Sequence, residues 1–293
     1  MRITQHITYN TYINDLMRKQ ESIYDLHRQL STGKRVNTPS DDPVKTDDIL
    51  STKSLISDMG QYERNIDDGL SYLSIVEQSL DSAKDVITTL QEHAVTQASG
   101  TNDAQTRANT AVVVNNLFKQ LVSLSNTAYD NKYVFAGYKV ETEAFDSTGA
   151  FQGDSSKRGI RTGANTTVEI GVNGGEVFSG SSGGVDIFQI IADFETALNA
   201  NDTTGIASAI DTLDEAFNQI SNAVSDIGGK VSRLTQTKDS ITHSMLELKT
   251  TVSGLEDADL TSVISDLKLS QIALEAAMQS AGKVFSVNIF DYV

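Results

Sequence analysis

Cysteine and tryptophan are absent from this 293-residue chain, and proline occurs only twice. Without cysteine there is no disulfide framework and no thiolate metal site. That absence leaves the compartment undecided. Aromatic residues make up only 6%, so the cores are expected to be aliphatic and thin, as in helical bundles. No run of 18 apolar residues occurs, so nothing in the sequence predicts a membrane span. Basic residues are few: 23 Lys and Arg against 39 Asp and Glu give a net charge of −16. Such a chain repels a phosphate backbone, and no nucleic-acid partner is expected. The first 35 residues are mildly basic, with Arg2, Arg18, Lys19, Arg28, Lys34 and Arg35. They are read as a solvated helix face.

Catalytic chemistry is missing as well. His6, His27, His93 and His243 are scattered without ligand spacing. His27 falls in an apolar stripe, where packing explains it better than metal binding. Asp41, Asp42, Asp47 and Asp48 cluster, but helix capping accounts for them, and the alternating pattern of an EF-hand loop is not there. Lys230 follows Gly228-Gly229, yet Val231 occupies the position that a phosphate loop gives to Ser or Thr, and the upstream glycine is missing. No Gly-x-Ser-x-Gly elbow occurs. The expectation is a non-enzyme with no cofactor and no metal.

What the chain does have is a long heptad repeat. Ile206, Ile210, Leu213, Phe217, Ile220, Val224, Ile227, Val231, Leu234, Lys238, Ile241, Met245, Leu248, Val252 and Leu255 alternate spacings of four and three. One narrow apolar stripe on a long helix needs partner helices. Met59, Tyr62, Ile66, Gly69, Leu73, Val76, Leu80, Ala83, Ile87, Leu90 and Ala94 keep the same repeat. So do Ala104, Ala108, Ala111, Val114, Phe118, Leu121, Ser125 and Ala128. The turn-forming run Ser99–Asp103 separates these two. The pattern predicts an antiparallel hairpin of 59–98 and 104–130, with 206–255 packed beside it.

Pro39 and Pro43 mark a break, and Ser40-Asp41-Asp42-Pro43 predicts a capped helix start. Before it, Ile13, Leu16, Gln20, Ile23, His27 and Leu30 form a short stripe. At the other end, beyond Gly254 and the acidic run Glu256–Asp259, a second stripe runs through Leu260, Ile264, Leu267, Gln271, Leu274, Met278, Ala281 and Phe285. Gln20 and Gln271 are polar members that lower stability but can set register. Eleven of the 20 glycines lie between Gly137 and Gly184. With them come β-prone runs at Lys132–Tyr138, Gly159–Thr162, Thr166–Val172 and Glu176–Phe178.

The expected fold is mainly α: a long-helix antiparallel bundle or coiled-coil rod, an inserted small β-rich domain, and short amphipathic terminal helices. The expected domains are 1–42 with 256–293 as terminal helices, 43–134 with 188–255 as the rod, and 135–187 as an outer β-rich domain.

The break segment Leu30-Ser-Thr-Gly-Lys-Arg-Val-Asn-Thr-Pro-Ser-Asp-Asp-Pro43 resembles the N-terminal segment of the flagellin superfamily. Asn131-Lys-Tyr-Val-Phe-Ala-Gly-Tyr-Lys139 with Glu143-Ala-Phe145, and the ending Ser286–Val293, are similar to its hook–filament junction branch rather than to filament flagellins.

This resemblance implies export through the flagellar channel by a type III apparatus, without a cleaved signal peptide. Met1–His6, which leads into polar residues, agrees. It implies a short helical zone of copies of the chain between the hook-side hook-associated protein and flagellin. It also implies an export chaperone on the C-terminal helix. The terminal helices would be mobile in the free monomer and pair into a coiled coil on assembly. Ile13, Leu16, Gln20, Ile23, Leu30, Leu260, Ile264, Leu267, Gln271, Leu274, Met278 and Phe285 are the expected interface. A filament flagellin, a coiled-coil signalling protein and an adhesin are the competing readings. The last would use the β-rich insert.

Overall fold

The computed structural model describes the backbone of residues 2–100 and 102–290, and the side chains of 7, 9–100 and 102–283. Among these residues the order is α1 (Arg2–Thr32), α2 (Pro43–Gln97), α3 (Ala104–Ser125), β1 (Ala128–Tyr129), β2 (Lys132–Tyr133), β3 (Gly159–Arg161), β4 (Thr167–Glu169), α4 (Gly174–Phe178), α5 (Ile187–Asn199), α6 (Thr203–Glu256) and α7 (Leu260–Phe290). The protein is mainly helical with a small β content: two separate two-stranded antiparallel sheets, β1–β2 and β3–β4. The chain divides into two compact units, Met1–Asp58 with His243–Val293, and Met59–Thr242.

In the second unit the heptad stripes form the core. Ile66, Leu73, Val76, Leu80, Ile87 and Leu90 of α2 are fully buried, as are Ile206, Leu213, Ile220, Ile227 and Leu234 of α6. Each such side chain contributes about 1.5–3 kcal/mol by leaving water. Gly69 lets elements close up. A Cβ there would stand 2.6 Å from Ile160 Cδ1 and 3.6 Å from Leu234 Cδ1. Lys238, the one polar member of the α6 stripe, reaches Asp67 of α2, Nζ to Oδ1 2.6 Å. Its hydrogen bond to Asp67 holds its pKa above the ordinary lysine value.

The turn after α2 is tied down by a buried arginine. Asp103 caps α3 by accepting from the Thr106 N–H at 2.7 Å. One turn on, Arg107 is 3% exposed. It donates to the carbonyls of Gln97 (3.2 Å) and Ser99 (3.0 Å), and to Asn201 Oδ1 between α5 and α6.

The helix expected over 104–130 stops at Ser125. Asn126 ends it by bonding the backbone of Phe145 on both sides, Nδ2 to O 2.7 Å and N–H to Oδ1 2.9 Å. A two-residue loop follows. Asp130 and Asn131 have φ of 51° and 58°, the left-handed pair that matches hairpin twist. The strand expected at Glu176–Phe178 is instead α4. Asn173 caps it, accepting from the Gly175 N–H at 2.8 Å, and this local cap overrides the β preference of Val177 and Phe178.

The few aromatics are concentrated here. Phe145 meets Phe178 at 5.6 Å and Phe188 at 5.1 Å, and Phe188 meets Phe118 of α3 at 5.6 Å. Phe188 belongs to α5, a helix that the heptad reading left undivided. It packs on α3.

Candidate assembly surface

In the first unit the break segment explains itself residue by residue. α1 ends at a left-handed glycine, Gly33, φ +70°. Nothing lies within 4 Å of a Cβ placed there, so conformation alone calls for glycine. The turn delivers Lys34 and Arg35 onto the C-terminal end of α6. Arg35 N–H donates to the Glu256 carbonyl at 2.7 Å, and its guanidinium to the Leu255 carbonyl at 2.9 Å. Ala258 N–H returns a bond to the Gly33 carbonyl at 2.9 Å. These donors satisfy the last carbonyls of α6, and their charge suits that end of the helix dipole. Lys34 and Arg35 therefore serve the end of another helix, while Arg18, Lys19 and Arg28 stand exposed on α1 as a solvated face.

Glu256 is the centre of this contact. Its carboxylate takes Lys34 Nζ at 2.8 Å and Lys53 Nζ of α2 at 2.7 Å. Burial opposes its charge, but the hydrogen bonds and charges of Lys34 and Lys53 more than offset this, and its pKa sits below the ordinary glutamate value. Beneath it Val36, Ile49 and Val252 form a small buried cluster with Ile56 and Leu255 at its edge. The aspartates divide the remaining work. Asp41 accepts from the Asn37 and Thr38 N–H groups, both 2.8 Å, and from Arg28 at 3.0 Å. The two backbone bonds lower its pKa. Asp42 caps α2 through the Lys45 N–H at 3.2 Å, and Asp259 caps α7 through Thr261 N–H at 2.9 Å.

α1 and α7 pack against each other. Of the expected α1 positions, Ile13, Leu16, Ile23 and Leu30 are half-buried, and Gln20 is exposed. His27, placed in that stripe by spacing, is exposed too. On α7 the covered face runs Val263, Leu267, Ser270, Leu274, Ala277, Ala281. It shares Leu267, Leu274 and Ala281 with the expected stripe. Gln271 is exposed, and so are Leu260 (45%), Ile264 (42%) and Met278 (53%), beside Leu269 and Ile272. Phe285 lies outside the described side chains. α7 thus has one apolar face covered by its own chain and a second row uncovered. α1 adds exposed Met17 and Tyr24. Spacing alone showed one stripe where there are two, because a helix this apolar satisfies more than one heptad phase. The role of Glu256 was missed. The signal that could have found it was an acidic residue at the end of a long helix together with an unexplained Lys-Arg pair.

Among the described residues no three His, Cys, Asp or Glu side chains are grouped to hold a metal. No helix there is long and apolar enough to cross a membrane.

Comparison with known proteins agrees with this arrangement of helices. Residues 3–140 match the bacterial flagellin N-terminal helical region, and 210–293 match the C-terminal helical region. The chain belongs to the flagellin family. It is 28% identical to flagellar hook-associated protein 3 of Salmonella typhimurium over 99% of both chains. A flagellin of Halalkalibacterium halodurans is 26% identical over 85% of this chain and 83% of its own. Two solved structures from Legionella pneumophila share the fold. The flagellar hook-associated protein-3 gives a TM-score of 0.62 at 15% identity, covering 71% of this chain and 98% of that one. The flagellar junction protein gives 0.58 at 16%, covering 72% and 100%.

Proposed function

We propose that this chain is a structural adaptor of the bacterial flagellum, joining the hook to the flagellin filament. The observation that carries the reading is the end-to-end match to hook-associated protein 3, against a partial match to flagellin. The second apolar row of α7 supports it physically, since a chain that assembles must keep apolar surface for its neighbours. The partners are the hook-side hook-associated protein, flagellin and further copies of the chain, with an export chaperone covering α7 beforehand. The site of action is extracellular, on the flagellum. The chain is not an enzyme. Residues 1–42 and 256–293 form the inner coiled coil on assembly, 43–134 with 188–255 the rod, and 135–187 the outer domain. The twelve expected positions from Ile13 to Phe285 belong to that terminal coiled coil, and the open row of α7 is the part left for neighbouring subunits.

Electron microscopy of the purified chain under high-salt polymerising conditions tests the reading. Monomers or short irregular assemblies are expected, because an adaptor awaits a template. Long filaments would make the chain a flagellin.

A further inference from the structure

One small cavity in the second unit reverses the charge pattern of the whole chain. Its volume is about 20 Å³. Tyr72, Tyr129 and Tyr133 wall it, Lys132 and Arg158 flank it, and no Asp or Glu lines it. In the chain as a whole acidic residues outnumber basic ones 39 to 23. The walls are fixed. Tyr72 donates its hydroxyl proton to the Val134 carbonyl at 2.8 Å. The Tyr129 ring meets Tyr72 edge-on at 6.1 Å, and the Arg158 guanidinium lies 5.6 Å from the Tyr72 ring centroid. The hairpin sets Tyr129 opposite Lys132, so its left-handed Asp130-Asn131 loop holds ring and cation side by side. Among the described residues neither Lys132 nor Arg158 has an ion-pair partner, and the Tyr129 and Tyr133 hydroxyls have no hydrogen-bond partner.

Size and chemistry restrict the occupant. A cavity of this volume admits roughly one water, or the tip of one side chain. It excludes a sugar ring or a base. Guanidinium, ammonium and phenol groups are donors, and together they suit a carboxylate. An apolar tip would gain nothing from the two cations.

We propose that this cavity receives an aspartate or glutamate side chain from a second copy of the chain. The inference rests on the reading above that copies assemble side by side. Each copy carries −16, so neighbours repel unless cationic recesses meet acidic projections. The cavity also gives a role to the Asn131–Lys139 motif, which the long helices leave unexplained.

Carbodiimide coupling, which joins a lysine amine to a carboxylate in contact, tests this on the full-length chain. Purified junctions built from isotopically light and heavy copies would be treated and analysed by mass spectrometry. A Lys132-to-carboxylate link between light and heavy peptides is expected. The double variant K132E/R158E should incorporate at least about tenfold less, with an unchanged helical melting curve because both side chains are exposed. Two results would overturn the proposal. Lys132 could remain uncoupled, or couple only to another protein, while other lysines link the copies. Alternatively, the double variant could incorporate like the parent. If the chain is absent from flagella, the adaptor reading falls, and the same coupling on the concentrated purified chain still decides this proposal.

Discussion

Glu256 at the end of α6 holds the ammonium of Lys53 on α2 at 2.7 Å, across 203 residues of sequence. The same carboxylate takes Lys34 just beyond α1, and α7 begins four residues later. The segment after α1, the body of α2 and the end of α6 are therefore fastened at one acidic group within the first unit.

Acid should loosen this contact. The folded-state pKa of Glu256 is lowered, so its contribution is complete above the ordinary glutamate value of about 4.3. It is lost as pH falls through the lower folded value. The Glu256→Gln variant should show little further acid loosening and should lose about 1–2 kcal/mol near neutrality. The lower end is favoured because both lysines are 43% exposed and screened by solvent. Limited proteolysis within 33–42 as a function of pH measures this. Identical digestion of parent and variant at every pH would contradict it.

The two faces of α7 should separate folding from assembly. Ile264→Asp changes a side chain already 42% exposed, so the monomer should keep its helical signal and lose incorporation. Leu267→Asp places a charge on the covered face, 7% exposed. It should also weaken the α1–α7 contact by about 3 kcal/mol or more. Circular dichroism and an incorporation assay on both variants distinguish the faces. Equal loss of helicity would show that α7 has no second, free face.

Arg107→Leu should cost the second unit about 2–4 kcal/mol. The substitution leaves the Gln97 and Ser99 carbonyls and Asn201 Oδ1 without their donor at a buried site. Thermal melting measures it. A drop no larger than that of an exposed Arg18→Leu control would show that water replaces the guanidinium.

Gly228 and Gly229 lie inside α6 with open space where a Cβ would stand. Alanine at each position should stabilise the free chain by up to about 1 kcal/mol, through helix propensity. A lower melting temperature for Gly228→Ala would show that the pair relieves strain in α6.

The long helices were legible because their information is local and repeated. The stripe from Ile206 to Leu255 predicts α6 to within three residues of its observed start and one of its end. The break at Asp42-Pro43 was legible because capping is written in adjacent residues. Other features depend on partners distant in sequence. Lys34 and Arg35 acquire their role from Glu256, Arg107 from Asn201, and Asn126 from Phe145. None of these pairings leaves a spacing signature. Glu176–Phe178 went wrong because two β-favouring side chains were outweighed by the Asn173 cap. At α7 the surplus of apolar residues hid the difference between the face that packs on α1 and the row left open.

Immunogold labelling of the chain on purified intact flagella tests the central claim most directly. One narrow band of label between hook and filament is the predicted result. Label spread along the filament would contradict the adaptor reading and make the chain a filament subunit.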